Sequence, residues 1–146
     1  MKHLKTCIAL SLDGFIATKD NELDWMPESV SKEIAVAYEQ PDVLLAGVNT
    51  YSYIFEHWGG WPYKSKKTFV VSHYDTNVTE KENVTFLTDM PLRAINELKS
   101  SSETDIQVIG GGKFITSLIE ASLLDEITLY IVPVMLGDGI KFIGKT

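Results

Sequence analysis

Hydrophobic residues cluster in short runs along the chain, and the spacing between the runs alternates. Leu4 to Leu12 is largely apolar and predicts a buried first strand, which turns at Asp13-Gly14 into the apolar triplet Phe15-Ile16-Ala17. Lys19 to Glu22 is polar and reads as a loop. Pro27, Glu28 and Ser29 form a helix start, and Val30, Ile34 and Ala37 or Tyr38 then fall on one face of a helix ending at Glu39, before Pro41. Val43 to Ala46 is continuously apolar and stops at Gly47, the pattern of a strand buried on both faces. Asn49 or Thr50 can cap a short helix through Phe55, and His57 to Ser65 is an aromatic, Gly- and Pro-containing loop. Thr68–Ser72 and Val84–Leu87 read as strands. Met90 or Pro91 opens a helix to about Lys99, with Leu92, Ile95 and Leu98 or Lys99 toward a core, and Ser100 to Glu103 closes it. A strand at Ile106–Ile109, a helix at Lys113–Ala121 and a strand at Glu126–Val132, before Pro133, complete the series.

Strands alternating with helices predict an α/β domain with a mainly parallel sheet covered on both faces. In such sheets ligands sit beyond the carboxyl ends of the strands, where Gly47, Ser72 and Gly110 all fall. The run Gly110-Gly111-Gly112-Lys113 joins a strand to a helix. Glycines there allow close backbone approach, and the free N–H groups and positive dipole end of the helix attract phosphate. Three glycines also make an ordinary strand-to-helix turn, and they match neither GxGxxG nor a Walker loop, so other segments decide.

Composition narrows the partners. With 146 residues, 45% of them hydrophobic, the chain fits one domain, residues 1–146, that needs no disulfide or metal staple. A net charge of −7 argues against nucleic acid or an anionic membrane surface. Cys7, the single cysteine, lies in an apolar run as a core thiol, which fits a reducing cytoplasm. No run of about 18 apolar residues suggests a spanning helix. His3, His57 and His73 lack metal-ligand spacing, so no metal is expected.

Seven segments carry a more specific signal. They are Ser11-Leu12-Asp13-Gly14-Phe15-Ile16-Ala17, Leu23-Asp24-Trp25, Gly47-Val48-Asn49-Thr50-Tyr51, Trp61-Pro62-Tyr63, Val70-Val71-Ser72, Gly110-Gly111-Gly112, and Leu124-Asp125-Glu126 through Pro133-Val134-Met135-Leu136-Gly137-Asp138-Gly139. In this order they resemble the dihydrofolate reductase-like proteins of the bacterial riboflavin-reductase C-terminal domain family, over nearly the whole chain. The resemblance implies a single-domain, three-layer dihydrofolate reductase-like fold and a cytoplasmic, NADPH-dependent reductase acting on a pterin- or pyrimidine-like heterocycle. By position, Ala9 and Ile16 would meet the nicotinamide carboxamide through backbone groups. Gly47, Thr50, Gly110, Gly111, Gly112, Lys113 and Phe114 would surround the pyrophosphate, and Ser72 and His73 the adenosine ribose and its 2′-phosphate.

Two departures from the family pattern bear on function. Val48 stands where relatives usually place an arginine that pairs with cofactor phosphate, so Lys66, Lys67, Lys113 or His73 would have to compensate. Relatives also continue past Leu136-Gly137-Asp138-Gly139 with about two more strands. The resemblance therefore implies a sheet lacking its last strands, with dimerisation over the exposed edge or a less stable protein. For catalysis, Asp24 and Glu28 are the carboxylates nearest the first helix, where dihydrofolate reductases hold an acid and this chain aligns Ser29. Glu28 equally complements a helix start. Asp13 serves a turn first and a substrate contact second. Trp25, Tyr51, Trp58, Trp61 and Tyr63 could stack on a flat ring, though aromatic loops more often fill a core. The competing functions are a dinucleotide-binding module without turnover and a binder of flavin or another phosphate ligand.

Overall fold

The computed structural model describes residues 2–20, 22–72, 83–88 and 92–142. Among the described residues eight strands and four helices follow in chain order: β1 (Leu4–Ser11), β2 (Phe15–Ala17), α1 (Glu28–Glu39), β3 (Val43–Gly47), α2 (Val48–His57), β4 (Lys67–Ser72), β5 (Val84–Thr88), α3 (Leu92–Ser101), β6 (Ile106–Gly110), α4 (Gly112–Glu120), β7 (Glu126–Val132) and β8 (Ile140–Lys141). Six strands form one sheet in the order β5-β4-β3-β6-β1-β7, and each neighbouring pair is parallel. The expected α/β sheet is therefore present, with helices on both faces.

Period-two alternation inside β3 decides which helix covers which face. Leu45 points with Leu4, Ile8, Ile106 and Val108 toward Ile95 of α3 and Ile115 and Leu118 of α4. Leu44 points the other way with Val70 and Val84, toward Tyr51 and Ile54 of α2 and toward Trp61. All five residues of β3 are buried, as its apolar run requires. The tryptophan-rich loop fills the second core rather than a ligand site. Tyr51 and Trp61 lie 4.9 Å apart, the Trp61 indole N–H donates to Thr68 Oγ1 at 3.0 Å, and Tyr63 bridges Trp61 to Tyr38 of α1. Trp58 remains exposed.

Several boundaries differ from the pattern-based ones. The helix expected to be capped by Asn49 or Thr50 starts at Val48 with Gly47 as N-cap, because backbone geometry alone turns the chain there. The helix expected from Lys113 starts at Gly112. Phe15–Ala17 does not merely follow a turn. It forms an antiparallel ribbon with Ile140–Lys141, which no periodicity over two or three residues could announce. Met90 and Pro91 lie outside the described residues.

Candidate functional site

The sheet order reverses between β3 and β6. From β3 the chain passes through α2 to β4 on one side, and from β6 it passes through α4 to β7, two strands away on the other side. Because α2 and α4 cover opposite faces, the chain diverges at the adjacent carboxyl ends of β3 and β6, where the two helices start side by side. Such a switch point is the usual ligand position of an open α/β sheet.

Glycine determines how closely the two helix starts approach. A Cβ on Gly111 would lie 2.9 Å from Thr50 Oγ1, and one on Gly47 would lie 3.2 Å from the Phe114 Cβ. The bare Cα atoms thus bring the Thr50 hydroxyl of α2 against the peptide of the glycine turn. Gly110 has φ +145°, a conformation that side chains disfavour, and the Gly110–Gly111 peptide is cis. Gly112 has a different reason for lacking a side chain. Its Cβ would meet the carbonyls of Lys141 and Phe142 at 2.9 and 2.8 Å, with Ile16 Cδ1 at 3.3 Å, so the β2–β8 ribbon sits directly on the start of α4. Thr116 fixes that contact, its hydroxyl 2.8 Å from the Gly112 carbonyl and 3.5 Å from that of Phe142.

The electrostatics of these helix starts suit an anion. The first N–H groups of a helix lack intrahelical partners, and neither α2 nor α4 has a side-chain cap or an acidic residue in its first turn. Helix α1, by contrast, carries Glu28 there, paired with Lys32 at 3.3 Å. Lys113 is exposed in the first turn of α4, where the dipole repels a cation and a bound phosphate would offset that repulsion.

The structure brings together Gly47, Thr50, Gly110, Gly111, Gly112, Phe114 and Ile16. Lys113 extends from the same helix start. Ala9 lies buried on β1, and Ser72 is buried at the carboxyl end of β4, two strands from the glycine turn. His73 lies outside the described residues. Val48 is half-buried against the core beneath α2. Lys66 and Lys67 cannot make up for the missing arginine. Lys67 opens β4 opposite Val43, at the amino edge of the sheet, and Lys66 Nζ donates to the carbonyls of Glu39 and Pro41 at 2.7 and 2.6 Å. Lys66 closes the end of α1.

The three carboxylates are distributed differently. Asp24 and Glu28 are exposed before and at the start of α1. Asp13 is committed to architecture. Its Oδ1 accepts from Ser11 Oγ at 2.7 Å and from the Leu136 N–H at 3.1 Å, and its Oδ2 accepts from the Gly137 N–H at 2.7 Å. Hydrogen bonding by the Ser11 hydroxyl holds its carboxyl below the usual carboxylate range, with the Gly137 and Leu136 amides adding to the effect against some desolvation. This knot between the β1–β2 turn and the loop after β7 was missed by sequence reasoning. Asp13-Gly14 reads as a turn and Leu136-Gly137-Asp138-Gly139 only as part of the family resemblance, and nothing in the sequence joins them.

Cys7 is buried and burial pushes its thiol up to about 11, so it remains protonated. No group of three or more His, Cys, Asp or Glu among the described residues could hold a metal ion, and no described helix is long and apolar enough to cross a membrane.

Comparison with known proteins agrees with this geometry. The chain is 31% identical to YyaP of Bacillus subtilis over 147 aligned positions, covering 90% of this chain and 75% of the relative. A Shewanella sp. PV-4 crystal structure named for riboflavin biosynthesis superposes with a TM-score of 0.82 at 29% identity, covering 98% of this chain and 84% of that one. Dihydrofolate reductase from Enterococcus faecalis, solved with NADP(H), shares the fold with a TM-score of 0.68 at 19% identity, covering 96% and 76% of the two chains. The RibD C-terminal domain family matches residues 2–146, and the chain belongs to that family.

Proposed function

We propose that the chain is an NADPH-dependent reductase that binds the cofactor at the carboxyl ends of β3 and β6, where the strand order reverses, and reduces a pterin- or pyrimidine-like heterocycle. The observation that carries this reading is the meeting of two uncapped helix starts at Thr50 and Gly111. The residues fit the pyrophosphate of a dinucleotide: they supply backbone N–H groups, a hydroxyl and one lysine, without a carboxylate in either first turn. Family membership and the NADP(H)-bound reductase of the same fold support the same cofactor class. NADPH supplies the hydride when bound, and the protein's share is positioning and exclusion of water.

Thr50, Gly111, Gly112 and Lys113 would hold the pyrophosphate. Backbone groups of Ala9 and Ile16, at the end of β1 and in β2, would orient the carboxamide, and Ser72 and His73 would lie by the ribose phosphate. Asp24 and Glu28, exposed beside the start of α1, are the carboxylates that could orient a polar ring. Asp13 would act by holding the neighbouring turn rather than by touching the ring.

A second reading, a dinucleotide-binding module without turnover, is favoured by Val48 and by the position of Lys66 and Lys67 at the far edge of the sheet. Titrating NADPH and NADH while following tryptophan fluorescence, then adding candidate pterins and pyrimidines, separates the two. Binding with turnover supports the reductase and binding alone supports the module. No saturable binding at about millimolar cofactor, near −4 kcal/mol, overturns both.

A further inference from the structure

Under the last turn of α1 the sheet carries a polar cavity of about 350 Å³, the size of a small-molecule pocket, between Ala37 of the helix and strands β1, β6 and β7. Gln107 of β6 lines it and is only 6% exposed. One N–H of its carboxamide donates to the Cys7 sulfur at 3.7 Å, a weak acceptor, and the carboxamide oxygen has no partner among the described residues. Buried polar side chains are rarely left so poorly matched, and this one faces open space. The interior is also uncharged. Burial pushes the Cys7 thiol up to about 11, so it stays protonated. Burial likewise raises the Tyr130 phenol, and Glu33 of α1 and Cys7 add to that effect. Lys5 is the one cation among the lining residues, and it is shared between Asp105 at 3.0 Å and Glu126 at 3.4 Å. An anion entering here would meet a surplus carboxylate rather than a free ammonium.

We infer that this pocket receives the substrate ring as a neutral lactam, with the Gln107 carboxamide paired to the lactam N–H and C=O and Tyr130 directing the ring toward Ala9. A primary amide presents a carbonyl and an N–H side by side, which is the complement of a lactam edge. Tyr130 lies opposite Ala9 in the β1–β7 register, and Cys7 is two residues back along β1, about 7 Å away. A flat ring over Cys7 and beside Tyr130 therefore reaches toward the position assigned to the nicotinamide carboxamide. That last step rests on the reductase reading, whereas the pairing at Gln107 stands on the pocket alone. The substrate class is narrowed accordingly. The part of the molecule that enters carries no phosphate or carboxylate, because the rim of the pocket is acidic and its lysine is already paired.

Calorimetric titration of the full chain without cofactor, to about 10 mM ligand, tests this with three small rings. Uracil, a neutral lactam, should bind saturably. N,N′-dimethyluracil, whose lactam N–H groups are blocked, and orotate, the same ring carrying a carboxylate, should each bind at least about tenfold more weakly. Gln107→Leu should weaken uracil at least about tenfold with the circular dichroism spectrum retained. Ala37→Met, at a half-buried helix position, fills the pocket without removing a polar group and should weaken uracil to the same degree, so the test survives a Gln107 variant that does not fold. No saturable uracil binding, equal binding of the three rings, or an unchanged uracil affinity in a folded variant would each overturn the inference. Titrating NADPH into the same samples keeps the two readings apart. Cofactor binding without Gln107-dependent uracil binding sinks the pocket and leaves the reductase, and uracil binding without cofactor binding sinks the reductase and leaves the pocket.

Discussion

At the level of single residues, the three glycines that make the site recognisable are not equivalent. The sequence presents Gly110, Gly111 and Gly112 as one flexible cradle, but the structure divides their work. Gly111 gives room to a flexible hydroxyl, whereas Gly112 gives room to the backbone carbonyls of Lys141 and Phe142. We therefore expect Gly112→Ala to cost about 1–3 kcal/mol in urea unfolding, since main chain cannot move aside cheaply. Gly111→Ala should cost less than 1 kcal/mol because Thr50 can rotate, yet weaken NADPH by displacing the hydroxyl. Equal losses of stability would mean that the two contacts are not different in kind. Lys113 is a basic residue exposed in the first turn of α4, and Lys113→Ala should weaken NADPH by about 1.5–3 kcal/mol with little change in stability, measured by titration and thermal unfolding. Lys66 and Lys67, two of the residues that would have had to compensate for Val48, lie at the other edge for a simple reason. They are close to Ser72 in sequence, but a six-residue strand separates its two ends by about 20 Å.

Between elements, what the sequence could and could not announce follows from length. Strands such as Val43–Gly47 and helices such as Gly112–Glu120 are long enough to show a period or a continuous apolar run, so their existence and order were legible and only their ends moved by a residue or two. The β2–β8 ribbon has three residues on one side and two on the other, and its partners are more than a hundred residues apart. Its position over the start of α4 therefore could not be read. The same holds for Asp13, whose carboxylate links the β1–β2 turn to Leu136 and Gly137. Asp13→Ala removes both acceptors from those amides and leaves the Ser11 hydroxyl with its bond to the Phe15 N–H. The loop after β7 should then be cleaved several-fold faster by a nonspecific protease, with the six-stranded sheet intact by circular dichroism. A cleavage rate equal to the parent's would show that the loop is held by something else, such as the Leu12 N–H bond to the Val134 carbonyl at 2.9 Å.

Across the whole molecule, the two edges of the sheet have opposite chemistry, and that polarity sets the pH dependence. The carboxyl edge presents the starts of α2 and α4 without side-chain caps, while the amino edge is closed by carboxylates that bind β1 to its neighbours. Asp105 accepts from the His3 N–H at 3.0 Å and pairs with Lys5 at 3.0 Å. Asp125 accepts from the Leu4 N–H at 2.8 Å and pairs at 2.7 Å with Lys99 of α3, whose side chain is 7% exposed. Burial opposes the charge on Asp125, but the Leu4 amide and the Lys99 ammonium outweigh it and hold the carboxyl below its ordinary value. For Asp105 the His3 amide and Lys5 act in the same direction. A folded value below the unfolded one, about 3.9, means that the unfolded chain binds more protons in that range. The stabilisation is therefore complete above the ordinary carboxylate range and is lost as pH falls through it toward the folded values. Asp125→Asn should cost about 2 kcal/mol at neutral pH, because Lys99 is left buried beside a neutral amide, a figure reduced for the partial exposure of Asp125. The same variant should lose less stability than the parent between about pH 5 and pH 3, since one of the depressed carboxylates no longer titrates. Urea midpoints measured across that interval provide the comparison. Parallel acid slopes for parent and variant would place the origin of the pH dependence elsewhere than in this ion pair.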